Sequence, residues 1–136
     1  MTQKIIENVD RILVQNISNL MASEVRAKIY IFLRKFEKST VEEIANGTGI
    51  YPSTVRESIL EMYNLGYVNR EKMKKEGLGK KPYIYSAVEP SAIIQKISEK
   101  VQERLNDLVD IDERIDGKPA TTNGPINIEI NIDGKN

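Results

Sequence analysis

Apolar residues recur near the start of the chain at steps of three and four: Ile5, Val9, Ile12, Leu13, Ile17 and Leu20, with Lys4, Glu7, Asn8, Asp10, Arg11 and Gln15 between them. That spacing gathers the apolar set on one stripe, so residues 1–22 read as an amphipathic helix. Its stripe either covers the domain's own core or pairs with a copy of itself. Ser23 then offers a hydroxyl to the unpaired amides of a new helix carrying Ala27, Ile29, Tyr30, Phe32, Leu33 and Phe36. This is the most apolar helix and is placed at the domain centre.

Thr40-Val41-Glu42-Glu43 has capping-box spacing, in which the Thr hydroxyl and the Glu43 carboxylate each satisfy an exposed backbone amide of the other. A short helix through Ile44 and Ala45 is expected to end near Asn46-Gly47, with Gly47 in the left-handed conformation and Gly49 in the following turn. Pro52 suits the first turn of another helix, where its missing N–H costs nothing. Val55, Ile59 and Met62 give that helix a buried face, and it should end around Leu65-Gly66.

Beyond Gly66 the period changes to two. Tyr67–Arg70 and Tyr83–Val88 are rich in aromatic and β-branched residues, and "EKMKKEGLGKKP" between them holds two glycines and a proline, which predicts a β-hairpin with a long basic tip. Tyr83 and Tyr85 alternate onto one face and should pack on the core. A last helix over 91–116 has apolar residues at Ile94, Ile97, Val101, Leu105, Leu108, Ile111 and Ile115, an imperfect heptad seam too long for a small domain to cover by itself. These residues are assigned to a dimer interface. "DGKPATTNGP" then reads as a linker. In the tail, Ile126, Ile128, Ile130 and Ile132 alternate with Asn127, Glu129 and Asn131. The region 117–136 is therefore either a strand, which would join the partner's tail or another protein's sheet edge through residues 126–132, or unstructured chain.

Composition restricts the chemistry. The 136 residues contain neither Cys nor His. Thiol nucleophiles, imidazole bases, disulfides and the usual zinc or haem ligands are thereby excluded. No Gly-rich phosphate loop is present, and the carboxylates sit on helix faces where they serve solubility. The chain reads as a binding protein and not an enzyme, with no catalytic residues, metal or cofactor. The longest apolar runs are too short to span a membrane and no signal peptide opens the sequence, so the expected location is cytoplasmic. The zero net charge hides an asymmetry: Tyr67–Val88 has six cations and two anions, net +4, whereas Glu89–Asp116 has four cations and eight anions, net −4.

The order of helix, short helix, tight turn, helix and basic hairpin resembles the winged helix-turn-helix transcription regulators of the TrmB, MarR and ArsR type. The resemblance is carried by "STVEEIANGTGIYPSTVRESILEMYNLGYVNREK" and "KPYIYSAVEPSAII" and covers roughly residues 23–95. It implies a mainly α fold with a small β-hairpin: a winged domain over 23–90, flanked by N- and C-terminal dimerisation helices. It also implies a homodimer that binds double-stranded DNA and regulates transcription. On that pattern Tyr51, Pro52, Ser53, Thr54 and Arg56 at the start of the recognition helix face DNA, with Glu57 and Asn64 further along. Ser53 and Thr54 suit phosphate, and Arg56 is the candidate for a two-pronged contact to guanine.

Two departures from the pattern stand out. Tyr51 replaces the usual capping hydroxyl, and either packs on sugar or a thymine methyl or covers Leu60 or Leu65. Glu57 and Glu61 oppose Arg56, so most attraction must come from the wing: Arg70, Lys72, Lys74, Lys75, Lys80 and Lys81. The alternative assignment is a winged-helix module that contacts protein within a larger transcription-related assembly. In so short a chain an effector site could only be a pocket between the winged domain and the flanking helices.

Overall fold

The computed structural model describes residues 4, 10–73 and 82–133. The expected helical positions Ile5 and Val9 and the hairpin tip over 74–81 lie outside them. The chain divides into two compact units, Met1–Val88 and Glu89–Asn136.

The first unit contains α1 (Arg11–Met21), α2 (Glu24–Lys35), α3 (Val41–Thr48), α4 (Pro52–Leu65), β1 (Val68–Lys72) and β2 (Tyr83–Ala87). It is mainly helical with one antiparallel hairpin, the winged-helix order expected from the sequence. Short polar residues start three of the helices. Asp10 Oδ1 accepts from the Ile12 amide at 2.8 Å, Ser23 Oγ accepts from Arg26 at 3.1 Å, and Thr40 Oγ1 accepts from Glu43 at 3.2 Å. Glu43 returns the last bond by accepting from the Thr40 amide at 3.0 Å, completing the capping box.

The core is built around α2. Ile29, Phe32 and Leu33 are fully buried with Ile44 of α3, Val55, Ile59 and Met62 of α4 and Val68 of β1. Burying a side chain of this size contributes about 1.5–3 kcal/mol, so these residues fix how the helices assemble. The hairpin is tied into this core at several points. Tyr85 is buried, and its backbone exchanges both hydrogen bonds with Ser39, at 3.0 and 2.8 Å, so the segment before α3 acts as a one-residue third strand. Tyr30 of α2 donates its hydroxyl to the Val88 carbonyl at 2.7 Å.

The end of α3 corrects the sequence reading. The helix runs through Gly47 to Thr48 and stops at Gly49, which takes the left-handed conformation at φ +76°. Gly47 is instead buried inside the helix, where a Cβ would collide with the ring of Phe32 and the backbone carbonyl of Lys4. Both glycines are required, for different reasons: Gly47 by close approach, Gly49 by backbone conformation. Thr48 extends the helix by donating its hydroxyl to the Ile44 carbonyl at 2.7 Å. Only Gly49, Ile50 and Tyr51 separate α3 from α4.

The second unit begins with α5 (Pro90–Val109), followed by α6 (Ile111–Asp116). The single helix expected over 91–116 is thus interrupted at Asp110, whose φ of −91° and ψ of 8° leave the helical range. Backbone bonds still bracket the break, from the Asp110 amide to Asn106 at 3.0 Å and from the Arg114 amide to Asp110 at 3.1 Å. Arg114 and Asp107 form an ion pair across it at 3.1 Å. After Gly117 the described residues 118–133 form neither strand nor helix. The tail is nonetheless held: Asn106 Oδ1 accepts from the Ile126 amide at 2.6 Å and its Nδ2 donates to the Ile126 carbonyl at 3.1 Å, while Gln102 Oε1 accepts from the Ile128 amide at 2.8 Å. Upstream, Gly124 lies so close to Val109 that a Cβ would come within 2.8 Å of its methyl.

Two consequences are measurable by denaturant unfolding. Gly49→Ala should destabilise by about 1 kcal/mol, from backbone conformation alone. Gly47→Ala, despite Ala's better helix propensity, should cost about 1–3 kcal/mol because the Phe32 contact is overpacked. Glu43 supplies a pH dependence: burial works against its charge, but the Thr40 amide and hydroxyl and the Lys4 ammonium, 3.2 Å away, outweigh it and hold its pKa below the ordinary 4.5. A folded-state pKa below the unfolded one stabilises above the unfolded value and is lost as pH falls through the folded value. The stability difference between the native chain and Glu43→Gln should therefore shrink as the pH is lowered below the ordinary carboxylate range.

Candidate nucleic-acid interface

The start of α4 is shaped by what its residues lack. Pro52 at the first helical position has no N–H, and Tyr51 before it makes no side-chain capping bond. The first intrahelical bond runs from the Val55 amide to the Tyr51 carbonyl at 3.0 Å. The amides of Ser53 and Thr54 therefore remain without a partner within the helix, at its positive end. Ser53 is exposed, Thr54 is half-buried, and both add a hydroxyl to the same turn. Tyr51 is 79% exposed, so it covers neither Leu60 nor Leu65 and stands beside these donors.

Arg56 lies on the next turn. Its guanidinium Nη2 bonds Glu42 Oε1 at 3.3 Å, with both side chains well exposed. An exposed pair of this kind is worth about 0–1 kcal/mol. Exchanging Glu42 for an outside acceptor is correspondingly cheap. Glu61, which the sequence set against Arg56, is instead engaged by Arg26 at 3.2 Å. Arg26 also donates to the Met21 carbonyl at 3.0 Å, which joins the end of α1 to α4.

The hairpin pairs Val68 with Ala87 through Lys72 with Tyr83, and the Met73 amide extends the pairing to the Pro82 carbonyl at 2.8 Å. Lys72 is exposed at the end of β1, where the chain enters the wing tip; Lys74, Lys75, Lys80 and Lys81 lie outside the described residues. Arg70, grouped with these lysines from the sequence, is differently placed. Its guanidinium sits 4.0 Å from the ring centroid of Tyr63 on α4 and 4.3 Å from that of Tyr83 on β2. A cation between two aromatic faces is held at both, so Arg70 joins α4 to the hairpin. Nothing in residue spacing showed this contact, because Tyr63 lies in a helix and its partners in a sheet.

Among the described residues no group of acidic, His or Cys side chains could hold a metal ion, and no helix is long and apolar enough to cross a membrane. A cleft of about 710 Å³ lies between α1, α2 and α3, with the charges of Arg11, Glu24 and Lys28 and the backbone of Gly47 on its walls. In the second unit, Ile94, Val101, Leu105, Leu108, Ile111 and Ile115 are exposed, Leu108 to 63% and Ile115 to 71%, and Ile97 is half-buried. Gln102 and Asn106, which hold the tail, were not singled out from the sequence; their spacing of four along one helix was the available signal.

Two solved structures share this fold. A possible transcriptional regulator from Methanosarcina mazei Go1 superposes with a TM-score of 0.64 at 15% identity, covering 75% of this chain and 87% of the other. TrmBL2, an archaeal chromatin protein with a novel mode of DNA binding, gives 0.62 at 17% identity, covering 75% of this chain and 38% of the other. No curated protein matches the chain. Residues 19–91, more than half of the sequence and the whole of α2 through β2, match the family described as sugar-specific transcriptional regulator TrmB. The chain belongs to the TrmB family of DNA-binding transcription regulators.

Proposed function

We propose that the chain is a homodimeric, sequence-specific regulator that binds double-stranded DNA through the first turns of α4 and the wing. The observation that carries this reading is the exposed start of α4, where unpartnered amides, two hydroxyls and a loosely held arginine occupy two consecutive turns. Ser53 and Thr54 donate to a phosphate at the helix N-terminus. Arg56 leaves Glu42 for the N7 and O6 acceptors of a guanine in the major groove. Tyr51 lies against sugar or a thymine methyl.

Lys72, with Lys74, Lys75, Lys80 and Lys81, supplies attraction to the backbone, while Arg70 keeps the wing at a fixed angle to α4. The apolar residues of α5 and α6, from Ile94 to Ile115, form the dimer interface. Two copies of α4 then meet successive major-groove faces about 34–36 Å apart, which corresponds to a palindromic site. The excess negative charge of residues 89–116 keeps the dimer core away from phosphate. A module that contacts protein within a larger assembly is the competing assignment, and it requires no affinity for DNA.

Electrophoretic mobility shifts with random and promoter duplexes across a salt series separate the two. Binding at ~50 mM salt that weakens steeply as salt rises is expected, and no binding there overturns the regulator. Lys72→Ala should reduce the slope of log affinity against log salt by about 0.9, as one phosphate contact does. Arg56→Ala should lose about 1–3 kcal/mol of discrimination at one base pair. Arg70→Ala should weaken binding while leaving that slope unchanged, and Arg70→Lys, which keeps the charge but not the planar stack, should not rescue it. A slope lowered by Arg70→Ala and restored by Arg70→Lys would make Arg70 a phosphate contact instead.

A further inference from the structure

The chemistry of the tail is used by none of the functions above. Asn106 and Gln102 stand four residues apart on α5, about 6 Å along its axis. Two residues of extended chain advance about 6.7 Å. The near match lets two helix side chains bond alternate residues of the tail as a neighbouring strand would. Asn106 serves both the N–H and the C=O of Ile126, and Gln102 serves the N–H of Ile128. One edge of the segment is therefore occupied. In extended chain the amides and carbonyls of the intervening residues point to the opposite edge, and none of Asn127, Glu129 and Asn131 has a backbone partner among the described residues. Ile130 and Ile132, at 41% and 58% exposure, continue the apolar face past the last bond to α5.

We propose that this open edge pairs with the same edge of a second copy, as antiparallel strands centred on Ile130. The occupant follows from self-complementarity. Centred on Ile130, each Glu129 lies opposite Asn131 of the other copy, and each such pair exchanges both of its backbone bonds. Ile128 falls opposite Ile132, and Ile130 opposite its own copy, so the apolar face becomes continuous across the pair. Centring on Glu129 or Asn131 sets acidic side chains against each other. Centring on Ile126, Asn127 or Ile128 places Pro125, which has no N–H, in a bonded position. Of the registers centred on residues 126–131, the sequence thus leaves the one on Ile130. The proposal rests on the homodimer reading for its partner and adds a contact separate from the α5–α6 seam.

The chain has no cysteine, so a single introduced thiol reports without background. At a non-bonded antiparallel position the two Cα atoms lie about 4.5 Å apart, within disulfide range. Full-length Ile130→Cys under mild oxidation should double from 15.5 kDa on a non-reducing gel, whereas Glu129→Cys, facing Asn131, should stay largely at monomer mass. Sedimentation of the unsubstituted chain runs in parallel. A dimer in solution with no cross-link at Ile130→Cys, or with equal cross-linking of both variants, overturns the strand pairing and leaves the homodimer standing. A monomer at every concentration overturns both.

Discussion

The winged unit depends on how closely α3 approaches α2 at Gly47. With no side chain there, the Phe32 ring of α2 and the α3 backbone come into direct contact, and this contact sets the depth at which α3 sits. Everything downstream inherits that depth. Only three residues separate α3 from α4, so the position of α3 carries the start of α4 with it. Ile44, Val55 and Ile59 then lock the two helices onto the same apolar surface of α2. Because packed interiors deform little, a displacement of α3 would be transmitted to the donors of Ser53 and Thr54 and not absorbed along the way.

Charge on the described surface of this unit is arranged by partnership. Arg56 meets Glu42 across the turn between consecutive helices, while Arg26 meets Glu61 and Lys38 meets Glu71 between segments more than thirty residues apart. Pairs of this exposure add little stability. On the proposed DNA-binding reading their larger effect is on availability: a carboxylate that holds a guanidinium lightly keeps it oriented, so less rotamer freedom is lost when a stronger acceptor replaces it.

Much of this was legible in residue order. The changes of period, the capping box at Thr40 and Glu43, the proline opening α4 and the basic hairpin together specified a winged helix with α2 at its centre. Features that depend on distant segments meeting were not legible. Gly47 read as a helix stop because Asn-Gly is a common stop, and nothing local indicated that Phe32 would occupy the space beside it. Arg70 read as one more wing cation because its two tyrosines approach from other elements. Asp110 interrupts the last helix without Gly or Pro, so the heptad pattern ran straight through it.

The tail carries a consequence of helix geometry that resembles a vernier. The amide row of α5 and the extended chain share nearly the same repeat, yet they differ by roughly 0.7 Å at each step, and a row of every fourth helical residue also winds about 40° around the axis. Two steps exhaust the tolerance of a hydrogen bond. The next position in the row is Ser98, a shorter side chain than Gln102, whose hydroxyl donates to the Gln95 carbonyl at 2.8 Å. A helix can therefore hold a strand only briefly before the two part. Ile130 and Ile132 lie where that separation begins, so the outward delivery of apolar chain follows from a mismatch of pitch alone.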